Sequence, residues 1–141
     1  MSERLKVGFI GAGGISTVHL NYLKTREDIE LAALCDIAPA ALDRKQAQFG
    51  GRGYADFGEM LDREALDAVW LCTPPLVRRE PLMACAEHGI PVFCEKPVER
   101  DVERARAIAD DLRERDARVQ VGYVFRSTPV VQRLKTAMQD D

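Results

Sequence analysis

Strand-length apolar runs alternate with helix-patterned stretches from one end of the chain to the other, and that alternation limits the fold more than any other feature. Parallel strands need a crossover long enough to hold a helix, so strand, helix and strand in series build β-α-β units. Leu5 to Ile10 reads as the first strand and Ile15 to Leu23 as the first helix. Glu30 to Cys35 is the second strand, and Ala40 to Phe49 the second helix, with Pro39 suited to its first turn and Gly50-Gly51 to its end. Arg52 to Tyr54 allows only a short third strand, followed by a brief helix from Phe57 to Leu61. Ala68 to Cys72 is a continuous apolar run of the kind buried on both faces of a sheet. A helix from Arg78 to His88 with Pro81 in its first turn, a strand from Pro91 to Cys94 and a charged helix from Val98 to Arg115 come next. Val119 to Tyr123 is the last strand, and Pro129 to Met138 a last helix that runs out in Gln139-Asp140-Asp141. The expected class is α/β, a doubly wound, mostly parallel sheet in a single domain.

A chain of 141 residues with 46% hydrophobic residues can bury a sizeable core alone. Its net charge of −3 provides no basic field, which argues against nucleic acid and anionic membrane as partners. No apolar run approaches membrane-spanning length, and the expectation is a soluble cytoplasmic protein. Cys35, Cys72, Cys85 and Cys94 lack metal-ligand spacing and read as buried free thiols of a reducing compartment, so no metal is expected.

Between the first strand and helix stands Gly11-Ala12-Gly13-Gly14-Ile15-Ser16, the context a dinucleotide fingerprint requires. The first glycine permits the tight turn, the second lets backbone approach a pyrophosphate, and the helix N-terminus offers free N–H groups. Ser16 replaces the usual third glycine and is small enough for helix to pack on strand. Asp36 ends the second strand about where a ribose-binding acid is expected. Its charge would repel a 2′-phosphate, which favours NAD over NADP. The alternatives for these residues are a glycine turn without a ligand and a turn aspartate. Thr73-Pro74-Pro75 closes the fourth strand on the same sheet edge, as either a nicotinamide-side lining or a common loop. Glu95-Lys96-Pro97 follows the fifth strand directly, and a lysine held there can move a hydroxyl proton, unless it makes only an exposed ion pair with Glu95. His19 and His88 read as ordinary surface or capping residues.

The order and spacing of the glycine turn, Asp36, Thr73-Pro74-Pro75, Gly89 to Val98 with its Glu-Lys-Pro corner, and Gly122-Tyr123 with Arg126 and Pro129 resemble the Gfo/Idh/MocA oxidoreductase family. That resemblance implies a Rossmann domain over residues 1–123, binding NAD or, less well, NADP. It implies that Gly11, Ala12, Gly13, Gly14 and Ile15 meet the pyrophosphate and Asp36 the ribose. Thr73, Pro74, Glu95 and Lys96 would then meet the nicotinamide half, with Lys96 catalytic. Pro75 stands where the family often has asparagine, and Arg78 where it commonly has histidine. Family members continue into a second domain, toward which 124–141 would be a connecting segment and helix, and which completes the site for a sugar or polyol. A stand-alone dinucleotide-binding module or sensor, or one half of a split enzyme, is the competing expectation. In either case an apolar patch should remain at Val130, Val131 and Leu134, for a missing C-terminal domain or a homo-oligomer.

Overall fold

The computed structural model describes residues 4–139, so the end of the expected run-out, Asp140-Asp141, lies outside the described residues. Six strands form one parallel sheet: β1 (Leu5–Ile10), β2 (Ile29–Cys35), β3 (Arg52–Tyr54), β4 (Ala68–Leu71), β5 (Val92–Cys94) and β6 (Val119–Val121). Their spatial order is β3-β2-β1-β4-β5-β6. β1 lies in the middle, with Leu5 to Val7 opposite Ile29 to Leu31 and, after a one-residue shift, Gly8 to Ile10 opposite Ala33 to Cys35 on one side, and Val7 to Ile10 opposite Ala68 to Leu71 on the other. This is the Rossmann arrangement, and the direction of winding reverses between β1 and β4.

Side chains alternate across each strand, and the two faces of the sheet gather two cores. Val7 and Phe9 of β1 and Leu34 of β2 point to one face, where α1 (Gly14–Leu23) and α2 (Pro39–Phe49) bury Leu20, Leu23 and Leu42 against them. Ile10, Cys35, Leu71 and Cys94 point to the other, beneath α3 (Phe57–Arg63), α4 (Arg79–Glu87) and α5 (Val102–Glu114) through Met60, Leu82, Cys85, Ile108 and Leu112. Burying one such side chain is worth about 1.5–3 kcal/mol. On the α1 side, Trp70 of β4 stacks on Phe9 with ring centroids 5.7 Å apart and lies 5.9 Å from Phe93 of β5.

Several boundaries differ from the sequence reading, each for a local reason. The charged helix begins at Val102 rather than Val98, because the Asp101 side chain accepts from Arg104 N and caps it. Pro75–Val77 forms a 3-10 turn before α4, and Val124–Ser127 another before α6 (Pro129–Ala137). The last strand is three residues long and stops at Val121. Buried Gly122 follows it, and a Cβ on that glycine would meet the Phe93 ring at 2.9 Å. Val130, Val131 and Leu134 of α6, where the sequence predicts an apolar patch, are exposed, as is Met138 just beyond the helix. No helix of the described residues is long and apolar enough to cross a membrane.

Candidate functional site

The carboxyl ends of β1, β2, β4 and β5 meet at the point where the winding reverses, which is where an open α/β sheet holds its ligand. Gly11 leaves β1 with φ +100°, its N–H donating to Cys35 O at 2.8 Å. A Cβ on it would stand 2.8 Å from the Cys72 carbonyl carbon, so only glycine lets β1 and the end of β4 approach so closely. Gly13 and Gly14 have the opposite surroundings, with nothing within 4 Å of either missing Cβ. Gly13 is the N-cap of α1 without any side-chain cap, and the first turn of α1 holds no acid. Orphan N–H groups and the positive end of the helix dipole therefore face open space beside the two glycines, and an anion suits that place. Ser16 is fully buried, and its hydroxyl donates to Gly13 O at 2.7 Å. The side chain in place of a third glycine braces the turn from below. Ile15 is exposed beside it.

Asp36, just beyond β2, is held by two main-chain donors: Ala12 N to Oδ2 at 2.6 Å and Ala38 N to Oδ1 at 2.8 Å. The acid thus serves the turn and also fixes a negative charge next to Ala12. Thr73, just beyond β4, has a buried Oγ1 with no hydrogen-bond partner among the described residues, while Pro74 beside it is exposed. A buried hydroxyl left without a partner is an uncommon feature in a folded chain, and an ordered water or a ligand atom would satisfy it.

At the end of β5 Glu95 is buried, its side chain 9% exposed. It does not pair with the Lys96 ammonium. Oε1 lies 2.7 Å from His19 Nε2, and Oε2 accepts from Lys96 N at 3.1 Å. Lys96 itself is exposed at the crevice, with the Lys96-Pro97 peptide cis. Burial pushes the Cys35 and Cys72 thiols up to about 12 and that of Cys94 to about 11, so these neighbours of the crevice are inert hydrophobes rather than nucleophiles. No group of three His, Cys, Asp or Glu able to hold a metal ion exists among the described residues.

Two residues of this corner were missed from the sequence. His19 is not an ordinary surface residue: its side chain is 20% exposed, its ring stands edge-on to Phe93 at 5.3 Å, and it holds Glu95. A signal existed, since His19 lies three residues after buried Ser16 and beside Leu20 on the inward stripe of α1. Arg78 is 3% exposed and donates to the main-chain oxygens of Thr73, Glu95 and Pro97. Nothing in its sequence surroundings marks it as buried. His88 does cap α4, with Nδ1 2.8 Å from Ala84 O.

The sequence pattern of an oxidoreductase family with an NAD-binding Rossmann fold, Gfo/Idh/MocA, matches residues 5–123. The rhizopine catabolism protein MocA of Rhizobium meliloti is 30% identical over 94% of this chain and 41% of its own length. Inositol 2-dehydrogenase of the same species is 29% identical over 96% of this chain and 41% of its own length. Among solved structures, the WlbA dehydrogenase of Bordetella pertussis in complex with NADH and UDP-GlcNAcA superposes with a TM-score of 0.87 at 27% identity, over 98% of this chain and 42% of that one. The chain spans about two fifths of the length of the curated relatives it matches.

Proposed function

The chain belongs to the Gfo/Idh/MocA oxidoreductase family, and on that premise we propose that it is the NAD-binding part of a dehydrogenase acting on a sugar or polyol. One observation carries the reading. Open space over Gly13 and Gly14, the uncapped start of α1, the fixed charge of Asp36 and the orphaned Thr73 Oγ1 all lie along one sheet edge, with Lys96 at its far end.

These residues suit a dinucleotide at each part of its length. Main-chain N–H groups of Gly13, Gly14 and Ile15 would hold the pyrophosphate, assisted by the helix dipole, while Gly11 and Ala12, whose own N–H groups go to Cys35 O and Asp36 Oδ2, shape the turn beside it. Both Asp36 oxygens already accept one main-chain bond and retain lone pairs for ribose hydroxyls. The same fixed negative charge disfavours a 2′-phosphate. Thr73 Oγ1, Pro74 and the Glu95 corner would line the nicotinamide half. When bound, the cofactor supplies hydride transfer to or from a secondary alcohol carbon. Lys96 Nζ, exposed beside that half, takes up or returns the hydroxyl proton. Glu95, clasped by His19, holds the main chain at Lys96 through the Lys96 N–H.

Relatives named for inositol and for rhizopine catabolism support the polyol class. Residues 124–141 serve as a connecting segment, and the exposed Val130, Val131, Leu134 and Met138 as a contact surface for the rest of the enzyme or a second copy. Calorimetric titration tests the cofactor assignment. NADH should bind at least about tenfold more tightly than NADPH, and Asp36→Ser should narrow that preference by a similar factor, the scale of a hydrogen bond to a charged group. Binding of neither dinucleotide at millimolar concentration would count against the reading.

A further inference from the structure

Arg78 sits between the Pro75–Val77 turn and α4, buried and bound only to main-chain oxygens. Its Nε donates to Thr73 O at 2.8 Å, and Nη1 donates to the carbonyls of Glu95 and Pro97. No ion pair of Arg78 exists among the described residues, since the neighbouring Glu95 carboxylate is taken by His19. A buried cation without a carboxylate is expensive unless its donors are satisfied. The planar guanidinium meets that condition, because its fork reaches acceptors on two separate loops at once. Those loops are the turn after β4 and the corner after β5, and the carbonyls that Arg78 joins lie 17 and 19 residues from it in sequence. His19 holds the side chain of Glu95; Arg78 holds the main chain on either side of Lys96.

We propose that Arg78 is a positioning residue: its guanidinium ties the Thr73 turn to the Glu95-Lys96-Pro97 corner and so sets where Thr73 Oγ1 and Lys96 Nζ stand toward the nicotinamide half of the crevice. The inference rests on the cofactor reading above, and it makes a distinction that the reading does not. The hydrogen bonds of the adenosine half, through Ala12 and Asp36, involve no atom of Arg78. Its effect is confined to one end of the ligand.

Arg78→Lys keeps the charge and loses the fork. Calorimetry with NADH and with ADP-ribose, which lacks nicotinamide, separates the two ends. The variant should bind NADH about tenfold more weakly and ADP-ribose within about twofold of the parent, since only contacts at the nicotinamide end are disturbed. Hydrogen exchange without nucleotide gives the second measurement. The amides of Glu95 and Lys96 should exchange on the order of tenfold faster in the variant, while those of Phe9 and Leu34 stay as in the parent. Equal weakening of both ligands, unchanged NADH binding, or unchanged exchange at Glu95 would each overturn the proposal. If the parent binds neither ligand, the cofactor reading fails, and the exchange comparison alone decides whether Arg78 ties the two loops. If Arg78→Lys does not fold, Arg78→His is put through the same measurements. Failure of both to fold makes Arg78 a general folding residue, and the proposal falls.

Discussion

Gly11 and Gly13 stand two positions apart in one turn and should answer substitution in opposite ways. Alanine at Gly11 meets both the +100° φ and the Cys72 main chain at 2.8 Å, and it should lower stability by about 2–4 kcal/mol. Alanine at Gly13, whose φ of −74° suits any residue and whose Cβ direction is empty, should cost no more than about 1 kcal/mol, the scale of alanine for glycine at a helix N-cap. Its methyl would occupy the place proposed for the phosphate, so NADH affinity should fall about tenfold or more. Thermal melting and calorimetry on the two variants check both halves, and equal binding by Gly13→Ala would remove the phosphate from that place. At this scale the main-chain features of the site were legible in the sequence, because glycine and a strand-end acid carry their own conformational meaning. The side chains that brace the site were not. Arg78 and His19 act across 17 and 76 residues of sequence, and a single chain does not record which distant carbonyl or carboxylate a side chain will meet.

Between elements, α3 and α4 are joined at the surface by His88, whose ring lies 2.8 Å from Ala84 O and 3.1 Å from Asp62 Oδ1. The Ala84 carbonyl first, and Asp62 next, raise its pKa above the usual 6.5. A folded value above the unfolded one means that the contribution is complete below about pH 6.5 and fades as pH rises through the folded value. The ring is one third exposed and screened, so the contribution stays under about 1 kcal/mol. His88→Gln should therefore cost more stability at pH 5.5 than at pH 8.5 in denaturant titrations, and a loss independent of pH would contradict the assignment. Element order and kind were legible because apolar runs of strand length and helical patterns differ in period. Boundaries moved where one side chain decides them, as Asp101 does for α5, or where a proline-led 3-10 turn such as Pro75–Val77 intervenes.

Taken whole, the molecule brings residues as far apart in sequence as Gly11 and Lys96 to one edge of one sheet, because β1 lies between β2 and β4. A dinucleotide bound as proposed along that edge would contact both windings and should stabilise the domain as a unit. At a free NADH concentration a hundred times the dissociation constant, the gain is about 2.7 kcal/mol. For a domain of this size it corresponds to a melting temperature higher by on the order of 8 °C. Scanning calorimetry across a range of NADH concentrations measures it, and a melting temperature indifferent to NADH would mean that the edge does not bind it. The chain also has a single tryptophan, Trp70, set between Phe9 and Phe93. Phe93 in turn touches the His19 ring that holds Glu95. All indole emission from this protein therefore originates two rings, Phe93 and His19, away from the Glu95 carboxylate, and the domain carries its own unlabelled optical gauge of whether that corner is in place.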